Sequence, residues 1–311
     1  MNIDAKLIMK LVKKSEKYNY EPDEEGYIRD KDLEIYISES VKKIYESSMS
    51  TLPDMLARRN SLIDNRINSE IEISKGLFFS SLLHAIFNYI IDGKSYENPY
   101  EECTYLLMHH LFDIYQAVLD LMITDHNLSC LIQARILYEA LTIMTFIMKY
   151  PVLAEPYLDH SVYSKKRILN LNKNNTINMD DAQFNEFSDK YPEDFFHDYG
   201  WTYSIIKDKK SRKLLTLANE VDLQEYSTFY RVASEATHSS SLFVNASYNK
   251  NYIVSYFGIN SVSVELISNG LMKLMKAWKI KNENLIYLRN IIYSFREELF
   301  HEPKGYGEKE T

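Results

Sequence analysis

In the run Tyr230-Arg231-Val232-Ala233-Ser234-Glu235-Ala236-Thr237-His238 an arginine and a histidine stand seven residues apart. In an α-helix that spacing is about two turns, so the two side chains lie within roughly 20° of one face. A permanently charged guanidinium beside an imidazole that exchanges a proton near neutral pH is a minimal set for phosphodiester chemistry. Gln224, Ser234 and Glu235 fall on the same stripe, and Leu223, Tyr226, Tyr230 and Ala233 fall on the other side. The spacing alone carries little, because a chain of this length yields about one Arg-x(4–6)-His match by chance. A second match, Arg296 to His301, is present. Its side chains point roughly 140° apart in a regular helix, which ranks it below the first.

Arg135 and Glu139 form an i, i+4 pair in an otherwise apolar segment, a spacing that permits an ion pair. Two readings stay open for them. They orient Arg231 or His238, or they pair on a narrow polar face with Thr142 and Lys149. Basic side chains gather at Lys165, Lys166 and Arg167 and again at Lys207, Lys209, Lys210, Arg212 and Lys213, with a third row at Lys273, Lys276 and Lys279. Such groups hold phosphates in nucleic-acid binders, and they also serve as ordinary solvated faces. The 25 tyrosines offer stacking surfaces but are mostly expected in the core.

Metal chemistry has less support. Glu235-x-x-His238 has the spacing used in di-iron helical bundles and Glu298-x-x-His301 repeats it, but such a site also needs two further carboxylates on facing helices. His109 and His110, near Asp113, point about 100° apart on a helix. No HExxH, GxxxxGK[ST] or GxGxxG run occurs. Cys103 and Cys130 show no zinc spacing and no disulfide framework.

The elements that must position these residues are helical. Only 8 Gly and 7 Pro in 311 residues leave few tight turns, which disfavours a sandwich or barrel, and 45% hydrophobic residues suffice for a sizeable core. Periodicity places helices at about 4–18, 31–48, 53–74, 76–91, 101–124, 130–149, 153–170, 211–220, 222–240, 260–280 and 283–301. Pro151 should end one of them, since a residue preceding proline is pushed out of the helical region. Residues 172–176 read as a loop, 181–200 as a short helix plus irregular structure, and Tyr252 to Gly258 as the one strand-like piece. The expected fold is all-α, an irregular multi-helix bundle. Its expected parts are a helical N-terminal extension over 1–75, a helical core over 76–301 and a flexible tail over 302–311.

A net charge of −8 removes a general basic footprint, so any nucleic-acid contact is local. The apolar windows Gly76 to Ile91 and Ile136 to Met148 are shorter than a bilayer span, and Met1 to Lys14 lacks a signal-peptide core. The expectation is a cytoplasmic protein without a membrane partner.

The residues from Tyr199-Gly200-Trp201-Thr202 through Leu215-Thr216-Leu217-Ala218 to Tyr230-Arg231, Ser234 and His238 resemble the bacterial domain of unknown function number 5677. Gln133-Ala134-Arg135-Ile136-Leu137-Tyr138-Glu139, with Tyr150-Pro151 and Tyr157, looks like the upstream part of that pattern. The resemblance covers about residues 100–280. The layout and the Arg-x(6)-His motif are in turn similar to HEPN domains, all-α modules of prokaryotic toxins and defence systems, many of which cut RNA without a metal. HEPN nucleases usually carry a polar residue, often asparagine, after the arginine; this chain has Val232.

The resemblance implies a HEPN-like, metal-independent endoribonuclease of a toxin or phage-defence system, without a cofactor and acting as a homodimer on RNA. Arg231, His238, Glu235 and Ser234 would be its catalytic residues. On the functional reading of the residues themselves, Arg135 and Glu139 would support them, and Lys165, Lys166, Arg167, Lys209, Lys210, Arg212 and Lys213 would contact RNA. The competing expectation is a non-catalytic helical interaction module in which Arg231, Glu235 and His238 form a structural network.

Overall fold

Residues 67–91, 96–124, 126–171, 188–238, 256–280 and 288–294, with Glu39, Ser240, Ser241, Phe243 and Arg296, are described by a computed structural model. The helices expected at 4–18 and 31–48, most of 53–74, the loop 172–176, His301 and the tail 302–311 lie outside the described residues.

The described chain is all-α, with no strand among its residues. Its main helices are α1 (Ile67–Ile91), α2 (Pro99–Ile123), α3 (Asn127–Lys149), α4 (Ala154–Leu171), α5 (Leu214–Glu220), α6 (Ser227–Thr237) and α7 (Tyr256–Ala277). Short 3-10 turns occur at Pro151–Leu153, Glu193–Phe195, Gly200–Thr202, Lys209–Ser211 and Gln224–Tyr226. Two expectations are corrected. Residues 53–74 and 76–91 do not form separate helices meeting at Gly76, because α1 runs through it. The strand-like reading of Tyr252 to Gly258 fails from Tyr256, which opens α7; residues 252–255 lie outside the described set.

The chain divides into two compact units, one of Met1–Lys94, Phe112–Leu137 and Ala233–Thr311, the other of Ser95–Leu111 and Tyr138–Val232. In the first, α1 buries Phe78, Phe79, Leu82, Leu83, Ile86 and Phe87, so its apolar stretch beyond Gly76 sits at the centre of a core. Gly76 lets that centre close up. A Cβ there would lie 2.4 Å from Leu119 Cδ2 and 3.1 Å from Asn260 Oδ1. The Tyr115 hydroxyl of α2 donates to Asn260 Oδ1 of α7 at 3.1 Å and lies 3.4 Å from the Gly76 carbonyl, so buried polar atoms are matched across three helices.

In the second unit Tyr150 leaves helical geometry (φ −127°, ψ 74°) ahead of Pro151, and α3 stops as its sequence requires. Trp201 is wedged edge-on between Phe146 (6.0 Å) and Tyr157 (5.1 Å). Burial pushes the Cys103 thiol up to about 12, and the same holds for Cys130 in the first unit. Neither sulfur is a nucleophile near neutral pH.

The helices α2 and α3 are long and apolar enough to cross a bilayer by length and composition alone. In this fold their most apolar windows are 56% and 67% buried, as in core helices.

Arg212 organises the loop that precedes α5. It is 5% exposed, and its guanidinium donates to the carbonyls of Ile206, Lys207 and Asp194 and to Asp194 Oδ2. Arg212→Ala strands those acceptors and is expected to lower stability by about 2–3 kcal/mol, measured by chemical denaturation.

Candidate functional site

Of the stripe singled out in sequence, Arg231, Ser234 and Glu235 lie on α6, whereas Gln224 falls in the 3-10 turn Gln224–Tyr226, so the helix expected at 222–240 begins only at Ser227. Ala233 and Ala236 are buried, as are Leu223 and Tyr226 ahead of the helix; Gln224, Arg231, Glu235 and His238 are exposed, and Ser234 and Tyr230 are half-buried. His238 follows the last assigned helical residue, yet its N–H donates to the Ser234 carbonyl at 3.1 Å. The helical hydrogen-bond ladder therefore reaches the histidine. Beyond it, Ser240 N bonds to the Glu235 carbonyl at 3.2 Å and closes the helix end.

The anchor for this helix is α3. Tyr138 is fully buried, donates to the Leu223 carbonyl at 3.1 Å and meets the Tyr230 ring at 5.4 Å. Arg135 donates from Nε to Ser234 Oγ at 3.0 Å, a charge-assisted bond between half-buried groups. Two residues read as separate candidates, 99 apart in sequence, thus meet. Glu139 sits half-buried one turn further along α3.

Arg231, Glu235 and His238 stand differently. Among the described residues no hydrogen bond or ion pair engages their side chains, and Arg231 and Glu235 do not pair despite their i, i+4 spacing. Of the second Arg-His match, Arg296 is helical and half-buried.

The basic candidates separate into two groups. Lys165, Arg167, Lys209, Lys210 and Lys213 are exposed; the Lys166 side chain is outside the described residues. Arg212 is the exception: its donors are spent inside the loop, so it is removed from any RNA-facing set. Arg167 pairs with Asp198, and Lys209 Nζ lies 2.6 Å from His197 Nε2.

Sequence reasoning had no use for His160, whose Nε2–H donates to the His197 carbonyl at 2.9 Å against the edge of Phe195. Burial holds the His160 pKa below the ordinary histidine value, while the His197 and Phe195 carbonyls and Asp198 pull it up and Arg167 pushes it down. The unfolded chain then takes up this proton first. As pH falls below about 6.5 the folded state loses stability, and it keeps that contribution above. His160→Gln is expected to flatten the acid side of a melting-temperature profile, read by circular dichroism.

Residues 102–251 match the model of a family described as Family of unknown function (DUF5677). The matched stretch contains Arg135, Glu139 and all of α6, and with them the candidate site. No curated protein and no solved structure matches the chain.

Proposed function

We propose that this protein is a HEPN-like, metal-independent endoribonuclease. The observation that carries the reading is the exposed face of α6: Arg231, Glu235 and His238 lie on it unengaged by any described side chain, while Ser234 between them is fixed by Arg135. Exposed and unspent on the fold, the donors of Arg231 and His238 are free to meet a phosphate, which is what the proposed chemistry requires.

In the proposed mechanism the RNA 2′-hydroxyl attacks the adjacent phosphorus and the 5′-oxygen leaves, giving a 2′,3′-cyclic phosphate and a 5′-hydroxyl. His238 moves the proton as general base or acid. Arg231 stabilises the extra negative charge of the phosphorane-like transition state from a fixed position. Glu235, one turn from Arg231, is placed to orient an incoming imidazole or guanidinium, and Arg135 holds the helix end through Ser234. Two copies of the chain, each contributing α6, form the active homodimer in a cytoplasmic toxin or phage-defence system. The test is incubation of the purified protein with cellular RNA in excess EDTA: cleavage with cyclic phosphate ends is expected, and RNA left intact at every protein concentration would rule the reading out.

A further inference from the structure

We infer that the His197–Asp198 turn of the second unit, flanked by Arg167 and Lys209, docks phosphates of an RNA backbone; the choice of RNA rests on the ribonuclease reading. One residue from each of two basic runs some forty residues apart, around 165–167 and 207–213, reaches this one turn. From α4, Arg167 binds the Asp198 carboxylate. From the Lys209–Ser211 turn, Lys209 Nζ reaches His197 Nε2 at 2.6 Å and stands 4.0 Å from Asp194 Oδ1. Residues 165–167 and 193–213 together carry eight basic side chains against four acidic ones, in a chain whose net charge is −8. Of the eight, Arg212 is buried and spends its donors on Ile206, Lys207 and Asp194, so it is not part of the exposed set. A local excess of basic residues on an acidic protein supplies the charge that an anion contact needs.

The turn itself is built under strain. Tyr199 adopts φ 56°, a region that side-chain-bearing residues rarely occupy. Gly200 N bonds to the His197 carbonyl at 2.8 Å, Thr202 N to the Tyr199 carbonyl at 3.1 Å, and His160 secures the same His197 carbonyl. Strain of this kind persists only where surrounding contacts enforce it, and such positions gather at binding sites. Here the result is that His197 and Asp198 are held half-buried and exposed, respectively, between two cations. A phosphate oxygen seated there takes a hydrogen bond from the lysine ammonium and another from the guanidinium, which exchanges Asp198 for the ligand.

The experiment uses the full-length His238→Ala chain, so that RNA is not consumed, and a fluorescein-labelled mixed-sequence single-stranded RNA read by anisotropy. Arg167→Glu and Lys209→Glu are each expected to weaken binding roughly tenfold and to reduce the salt dependence by about one counterion. Lys276→Glu, an equal charge change at an exposed position of the first unit, is expected to change binding less than about twofold. Equal loss in all three variants, no loss in any, or saturation by inorganic phosphate without RNA binding would overturn the inference. Intact thermal melts of the variants keep a folding defect apart from a binding defect. Binding that follows this pattern in a chain that never cleaves RNA would sink the ribonuclease reading alone; cleavage insensitive to both reversals would sink the docking site alone.

Discussion

Alanine at His238 is expected to slow RNA cleavage by roughly 10²–10⁴-fold, the usual contribution of a positioned general acid or base. Arg231→Ala is expected to cost about 10²–10³-fold, comparable to deleting one preorganised donor to a developing negative charge. Both side chains are exposed and make no hydrogen bond or ion pair among the described residues, so neither change should move the melting temperature. The double variant should be little slower than the worse single one, because residues acting on one transition state do not contribute additively. Ser234→Ala belongs to another class. It removes the acceptor of Arg135 Nε, so it should lower both activity and stability. An interaction module predicts the reverse for the first pair: no effect on any activity, with a loss of stability in both.

Gly200→Ala is expected to be the most damaging small substitution in the second unit. A Cβ there would stand 2.1 Å from the Phe195 carbonyl oxygen, 2.6 Å from its carbon and 2.8 Å from the Asp194 carbonyl oxygen. All three are backbone atoms, and none can swing away. Relief requires opening the turn, which also disturbs the Asp194 carbonyl held by Arg212 and the Phe195 ring stacked on Tyr191 at 3.9 Å. The expected loss is about 3 kcal/mol or more. That corresponds to a melting temperature lower by roughly 6–12 °C. Gly76→Ala makes the useful comparison. Its nearest obstacle is Leu119 Cδ2, the end of a flexible side chain, so a smaller loss of about 1–2 kcal/mol is expected.

The helices were legible wherever apolar spacing met a clear stop. Pro151 ended α3 as expected, and on α6 Ala233 is inside and Arg231 and Glu235 are outside, although the helix starts only at Ser227 because Gln224–Tyr226 winds as a 3-10 turn. Gly76 misled because a glycine reads as punctuation in sequence, whereas here it makes room for Leu119 and Asn260 in the middle of a helix. Tyr252 to Gly258 misled because a short β-branched and aromatic run has no period of its own, and α7 claims its end. Contacts between distant segments left no local trace. Nothing in the spacing of Arg135 announces Ser234, and nothing about Arg212 among four lysines announces that it alone is buried. The turn at His197 is invisible for the same reason: its partners come from α4 and from a loop a dozen residues on.

The central claim is that the exposed Arg231 and His238 of α6 drive cleavage by the RNA 2′-hydroxyl. It is tested most directly by offering the protein, in EDTA, an RNA and its fully 2′-O-methylated counterpart of identical sequence. The account predicts that the RNA is cut to 2′,3′-cyclic phosphate ends while the methylated strand stays whole. Equal cleavage of both strands, or products ending in a 3′-hydroxyl, would contradict it.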